Sequence, residues 1–410
     1  MILGEIIMSN QINNFLHIIQ FAINQKFDDL LAPDWYHLIE IAKQQNLLAI
    51  FNEGCVGYGK VYPLPQGLQK ECFEQSTRLI IWQAKRTKAF LSVYDKLVAA
   101  GLKPLILKGL VCRSIYGTYA DHRPSSDEDI YIKKEDFPLI KRILTEQGFQ
   151  MEQLEVTDKV LSQAQEISFY NNSIDLYLEV HLNVMGNENF VRKKMNTFFE
   201  TVHESYMSVE IDGHIIYTLN PTDHYLYLFL HFFKHFTLSG IGIRQVIDMF
   251  MFDKSYHNQI DWKVVEDRIR EVSAYKLYLD VRFIGRRYLG FPGDVDYDSH
   301  CVQILLEDIL EGGCFGNESR DFSLSANIAA SAMNQHNKLR LLRVAFPESR
   351  NLIKGYPVLF KHPYLLPFIW ILRLTKFMLY KGGTDKELLT KSFKIGNKRV
   401  KLLKEYGILT

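Results

Sequence analysis

Apolar residues recur at helical spacing near the start of the chain. Phe15, Ile18, Ile19, Ala22 and Ile23 share one face, and Trp35, Leu38, Ile39 and Ala42 share another after Pro33 and Asp34. Both stripes read as faces that pack into a core. Gly57, Gly59, Pro63 and Pro65 mark a loop over 58–66, and a long helix is predicted from about Gln69 to Ala100, with Gly101 as its stop.

From Gly101 the texture changes. Leu105, Ile106 and Leu107 form a short apolar run bounded by Pro104 and Gly109, as in a buried strand, and Leu110 to Tyr116 fits a short helix. Asp127 to Ile132 reads as a second strand, Phe137 to Gln147 as a helix closed by Gly148, and Glu166 to Tyr170 as a third strand. Asn171, Asn172 and Ser173 predict a hairpin turn. The strand beyond it is the clearest in the chain: Ile174, Leu176, Leu178, Val180 and Leu182 alternate with Asp175, Tyr177, Glu179 and His181, giving an apolar face and a polar one. Helical spacing returns from about Pro221, as in Leu226, Phe229, Leu230 and Phe233.

Composition narrows the class. The 410 residues are 47% hydrophobic and 23% charged, as in a folded chain of two or three domains. Lys+Arg 48 against Asp+Glu 47 gives a net charge of +1, so no global positive field draws in a polyanion and a long nucleic-acid partner is disfavoured. Cys55, Cys72, Cys112, Cys301 and Cys314 are odd in number and widely spaced, which argues against a disulfide framework and for a reducing, cytoplasmic setting. Met1 to Met8 is interrupted by Glu5 and is too short for a signal core, and Met8 is a second candidate start. Tyr356 to Tyr380 is rich in apolar residues but broken by Pro363, Pro367, Arg373 and Lys376. A buried helix is the expectation there rather than a membrane span, with peripheral membrane contact as the alternative.

One constellation carries chemistry. Asp127 and Asp129, two apart on a strand, point to one face while Glu128 points away. Glu179 lies on the polar face of its strand and can join them if the two strands are neighbours. Clustered carboxylates repel one another unless a cation neutralises them, and Mg²⁺, a hard ion that prefers oxygen, fits the set. Upstream, Lys108-Gly109 ends a buried strand and opens a helix, where backbone N–H groups can receive a phosphate. Arg123 and Ser126 add a bidentate phosphate donor and a hydroxyl. Asp-x-Asp alone reads as a solvated turn or helix cap. The Lys-Gly upstream and the alternating strand downstream turn the reading to a metal and nucleotide site.

Three motifs together, Leu107-Lys108-Gly109, Arg123-Pro-Ser-Ser126-Asp127-Glu-Asp129-Ile130 and Leu178-Glu179-Val180-His181, resemble the uncharacterised bacterial nucleotidyltransferases of the DNA polymerase β-like superfamily. Similar texture extends through Pro221 to Asp248 and Ile309 to Gly316. The resemblance implies an α+β (α/β) fold with a mixed-sheet catalytic core over 101–219, between helical regions at 1–100 and 220–410. It implies metal ligation by Asp127, Asp129 and Glu179, with Glu179 also polarising the acceptor hydroxyl. Gly109 would stand in the triphosphate loop, and Lys108, Arg123, Ser126 and His181 would contact the nucleotide. Two Mg²⁺ ions, or Mn²⁺, would assist transfer of a nucleoside monophosphate from an NTP to a small-molecule or protein acceptor. The commoner superfamily pattern has Gly-Ser or Gly-Gly where this chain has Lys-Gly, which puts the nucleotide geometry in question more than the fold.

Other readings remain beside it. His231 and His235, at i and i+4 on a helix with Asp248 downstream, have the spacing of a zinc site, but Phe232 stands where a zinc hydrolase has its catalytic Glu. Structural histidines, or residues lining the nucleotide cleft, are the favoured reading. A non-catalytic nucleotide-binding or partner-binding module with the same fold is a further alternative, disfavoured by the intact acids. The basic tail from Lys381 onward reads as a solvated face, with an anionic partner as its alternative.

Overall fold

The computed structural model describes residues 2–152, 161, 164–186, 190–238, 240–294, 299–313, 352, 356, 358–379 and 396–408. The chain divides into two compact units: Met1–Phe232 with Ile243–Ser299, and Phe233–Gly242 with His300–Thr410.

The first unit begins with four helices, α1 (Ile2–Asn24), α2 (Trp35–Gln44), α3 (Leu48–Tyr58) and α4 (Gln66–Ala99). The Asp34 carboxylate accepts the His37 N–H at 3.3 Å and so starts α2 at the predicted place. No amphipathic stripe marks α3, because Leu48, Ala49, Ile50, Phe51 and Cys55 are buried on nearly every side. A helix buried all round loses the periodic contrast that identifies a surface helix. The long α4 gives way to Gly101, whose φ of +83° suits glycine.

Seven strands follow in one mixed sheet: β1 (Leu105–Ile106), β2 (Glu128–Tyr131), β3 (Gln150–Met151), β4 (Glu166–Asn171), β5 (Leu176–His181), β6 (Met207–Ile211) and β7 (His214–Thr218). Their spatial order is β3-β4-β5-β2-β1-β7-β6. The β2–β5 and β1–β7 pairs are parallel and the others antiparallel. Two short helices, α5 (Leu110–Ser114) and α6 (Phe137–Glu146), lie between the early strands in sequence. Ile130, Ile167, Phe169, Leu178 and Val180 form the apolar side of the sheet and pack with Phe90, Tyr94 and Leu97 of α4 and Ile140 and Leu144 of α6. This core leaves the opposite face of β2, β5 and β4 for polar residues. The fold is therefore α+β, as expected. The β6–β7 hairpin was not anticipated, although Met207, Val209 and Ile211 alternate with Ser208 and Glu210 before the Asp212-Gly213 turn, a pattern that marks a hairpin.

The unit continues through α7 (Phe190–Thr197), α8 (Pro221–Leu238, of which residues to Phe232 belong here), α9 (Ile243–Tyr256), α10 (Trp262–Glu271) and α11 (Tyr275–Leu289). In the second unit, α12 (Val302–Gly312) contributes Leu305, Leu306 and Ile309 to an interior shared with Leu402, Leu403 and Tyr406. Residues 381–395 of the basic tail lie outside the described residues. Beyond them the run is a solvated face only in part: Lys401 and Lys404 are exposed, whereas Lys398 pairs with Glu307 at 2.9 Å and Arg399 is buried, its Nη1 3.6 Å from Asp308. The helix Leu366–Leu379 is also not buried as expected, and Phe368 and Ile371 lie at the surface.

His224 on α8 ties this helix to β7. The Thr218 hydroxyl donates to the Ile106 carbonyl at 2.6 Å and so accepts from His224 Nδ1 at 3.1 Å. Burial pushes the imidazole down to about 3. The unfolded chain then takes up a proton below about pH 6.5 that the folded chain refuses, so this group's contribution to stability falls as pH drops through that range. Urea unfolding at pH 7 and pH 5 should show a stability loss that shrinks by about 2 kcal/mol in His224→Gln.

Candidate active site

Strand register builds the site. In the parallel β2–β5 pair Asp129 faces Glu179 and Tyr131 faces His181, while across the antiparallel β4–β5 pair Ser168 faces Glu179 and Glu166 faces His181. Period-two alternation therefore puts Asp129, Glu179, His181 and Glu166 on the face opposite the apolar core. His181 Nε2 lies 2.9 Å from Asp129 Oδ1 and 3.6 Å from Glu179 Oε2, and His181 Nδ1 lies 3.8 Å from Glu166. Lys108, immediately after β1, brings its ammonium to 3.3 Å from Asp129 Oδ2 and to 3.3 Å from His231 Nε2 on α8.

These charges set one another. Burial alone would raise the Asp129 carboxyl, but Lys108 and His181 hold it well below the usual carboxylate range. Burial pushes Glu179 up to about 7, with the Asp129 and Glu166 carboxylates adding to the rise and His181 opposing it. Burial disfavours the His181 imidazolium, yet its hydrogen bonds to Asp129 and Glu179 raise it to about 9. Lys108 is likewise held above its ordinary value by Asp129 despite its burial.

The donor set fits a divalent cation. Ligand atoms of Asp129, Glu179 and His181 all lie within 4.8 Å of one another. Asp129 Oδ2 and the buried Tyr227 hydroxyl have no hydrogen-bond partner among the described residues. Two carboxylates and an imidazole are ligands for Mg²⁺, Mn²⁺ or Zn²⁺, with the nitrogen widening the choice beyond Mg²⁺. One other group of this kind is present among the described residues, His300, Cys301 and Glu405, in the second unit.

The placement of the remaining predicted residues differs from expectation in several respects. Asp127 precedes β2 and is not part of the clustered set; His181 takes that place. Asp127 instead lines a cleft of about 430 Å³ with Trp82, Arg86, Ser126, Tyr170 and Tyr177. Ser126 is exposed, with its hydroxyl 3.4 Å from Asp127 Oδ1 and its carbonyl accepting Arg86 Nη2 at 2.7 Å.

Gly109 is required for a reason other than phosphate approach. Its φ is +47°, and a Cβ there would meet Glu128 Oε2 at 2.1 Å. Glu128, pointing to the core side as the strand period dictates, accepts the Leu110 N–H at 3.0 Å and pairs with Arg113 at 2.6 Å. An internal carboxylate thus already occupies the helix start expected to receive a phosphate. Arg123 is also committed elsewhere. Its Nε and Nη2 form a buried fork with Asp248 at 2.7 and 2.6 Å, and Tyr116 donates to the same carboxylate at 2.8 Å. The guanidinium is therefore committed through Nε and Nη2 to a buried ion pair, and the Asp248 carboxylate is engaged in it. His231, facing the Lys108 ammonium, joins the carboxylate site; His235 follows one turn later on α8.

Sequence inspection missed Tyr227, Glu166 and the aromatic cleft residues. Glu166 was not readable either: a turn centred on Asn171 to Ser173 would set it opposite Leu178, whereas the observed turn runs over 172–175 and pairs it with His181.

A mixed sheet with a carboxylate-rich, cation-flanked face is the site of a phosphoryl- or nucleotidyl-transfer class of protein. Residues 32–290 match the model of an uncharacterised nucleotidyltransferase family, over more than half of the chain, and the protein belongs to that family. No curated protein and no solved structure matches it. Membership supports a general transferase role and an NTP substrate.

Two substitutions test the corrected roles. Arg123→Ala leaves Asp248 buried and unpaired, and should lower stability by about 3–5 kcal/mol in urea unfolding, with nucleotide affinity of the folded protein unchanged. Gly109→Ala should lower stability by about 2 kcal/mol or more in the same measurement, because both the left-handed backbone and the Glu128 cap oppose a side chain.

Proposed function

We propose that the protein is a divalent-metal-dependent nucleotidyltransferase that moves a nucleoside monophosphate from an NTP to a hydroxyl or phosphate of a small-molecule or protein acceptor, releasing pyrophosphate. The observation that carries this reading is the convergence of Asp129, Glu179 and His181 beside the Lys108 ammonium on one sheet face, in a chain of a nucleotidyltransferase family. Those three residues would hold the cation. A second ion, as the superfamily resemblance implies, would need Asp127 as well. When bound, the metal supplies Lewis-acid stabilisation of phosphoryl oxygens and lowers the pKa of an acceptor hydroxyl.

The lateral order of the strands supports a division of labour. Lys108 and His231 stand on the β1 side of the carboxylates, where they would meet the triphosphate. The Lys108 ammonium, paired with Asp129 at 3.3 Å, can share its charge with a phosphate oxygen and offset negative charge that grows in transfer. The β5–β4 side carries Tyr177 and Tyr170, directly paired across the strands, and opens to the cleft beside Asp127. We assign the acceptor to that side. Glu179, with a proton affinity near neutrality, stands between the two and would take the acceptor's proton. The buried free thiols Cys55, Cys72, Cys112 and Cys301 support a reducing, cytoplasmic setting.

The test is incubation of the full chain with α-phosphate-labelled NTPs, Mg²⁺ or Mn²⁺, and extract of the source cell. Label should appear on an acceptor, depend on the metal, and fall by about a thousandfold in Asp129→Asn. No transfer from any NTP, together with unchanged metal–NTP binding in Asp129→Asn, would overturn the reading.

A further inference from the structure

The second unit contains a helix with its hydrophobic pattern reversed. In Leu366–Leu379, successive residues turn by about 100°. That spacing places Pro367, Phe368, Ile371 and Leu372 on a single arc, and all four are exposed, whereas Leu366, Ile369 and Trp370 on the other side are half-buried. Tyr364, in the turn just before the helix, is 70% exposed, Phe368 is 68% exposed and Ile371 is 59% exposed. An arc of large apolar side chains facing water is the feature that marks an interaction surface, since a scattered exposed apolar residue is ordinary and a contiguous set is not.

Charge decides what covers it. Between Glu348 and Asp385 the chain contains no acidic residue, but six cations, Arg350, Lys354, Lys361, Arg373, Lys376 and Lys381. Tyr356, Tyr364, Trp370 and Tyr380 supply aromatic side chains of the kind that favour a membrane–water boundary. A second copy of the chain is disfavoured, because a two-fold contact through this helix would set Arg373 and Lys376 of one copy against those of the other, with no acidic residue in the helix to offset them. An anionic lipid surface complements both properties at once.

Length fixes the mode. Fourteen residues of helix span about 21 Å, short of the roughly 30 Å hydrocarbon layer. Among the described residues no helix is long and apolar enough to cross a membrane. We infer that Tyr364, Phe368 and Ile371 form a docking face by which the protein lies on an anionic bilayer surface, the helix parallel to the membrane plane. This surface is independent of the nucleotidyl-transfer reading, and its test does not use activity.

Flotation of the full chain with phosphatidylcholine vesicles, with and without roughly a third phosphatidylglycerol, measures the binding. The protein should float with the anionic vesicles, release them as salt is raised, and float poorly with the neutral ones. Phe368→Glu with Ile371→Glu should weaken binding by about tenfold or more, with circular dichroism and melting temperature unchanged. A second readout places a reporter on the face itself: brominated phosphatidylglycerol should quench the tryptophan emission of Phe368→Trp more strongly than that of the wild-type chain. No flotation with anionic vesicles, equal flotation with neutral ones, or undiminished binding by the double variant overturns the inference. So does a concentration-dependent dimer that the double variant abolishes, without lipid binding, which would make the face a contact between copies.

Discussion

Strand β2 buries two consecutive carboxylates in opposite directions, and the turn before α5 and the neighbouring strand β5 supply the groups that keep both of them there. An uncompensated buried charge costs several kcal/mol, so each acid needs its own cation. On the core side, Glu128 pairs with Arg113 and accepts the Leu110 N–H, which fixes the first turn of α5 and leaves room at residue 109 only for glycine. On the other side, Asp129 is compensated by Lys108 and His181. Lys108 and Leu110 flank that same glycine. The two compensations therefore constrain one another through the shape of the β1–α5 turn.

The consequence is two kinds of buried polar cluster. Glu128–Arg113 and Arg123–Asp248 are buried pairs made entirely of the chain's own groups, one at 2.6 Å and the other a two-bond fork. They hold α5, the segment before β2, and α9 in place. The Asp129 cluster differs in that ligand atoms of Asp129, Glu179 and His181 converge within 4.8 Å of one another. One Asp129 oxygen has charge nearby but no hydrogen bond, and Glu179 is pushed towards neutrality by burial beside it. A set of groups with residual capacity for a cation or proton is what chemistry on a phosphate requires. Each arginine is committed to one carboxylate, whereas the Lys108 ammonium stands between Asp129 and His231.

In the second unit the same accounting of burial applies to apolar groups. Arg399 is taken inward against Asp308, while Tyr364, Phe368 and Ile371 are left outward. A fold that buries a guanidinium and exposes a phenylalanine has assigned the exposed face to a second medium. For a transferase, lying on a bilayer would restrict the acceptor search to groups at or near that surface.

Much of this was legible along the chain. The stripes around Phe15 and Trp35, the stop at Gly101, and the alternation from Ile174 to Leu182 are local periodicities, and each became the element it predicted, the strand starting two residues late at Leu176. The acids of the site were legible as well, because a strand's period alone dictates that Asp129 and Glu128 face opposite ways. What the sequence could not determine was which groups meet across the fold. Arg123 and Lys108 look alike as cations near an acidic motif; only the arrival of Asp248, 125 residues later in the chain, claims one and leaves the other beside Asp129. Likewise, β3 at two residues is too short to show a period, and α3 lacks a periodic contrast because burial on nearly every side removes it. The physical reason is the same in every case. Periodicity reports the local backbone, whereas the partner that neutralises a buried charge comes from wherever the tertiary structure brings it.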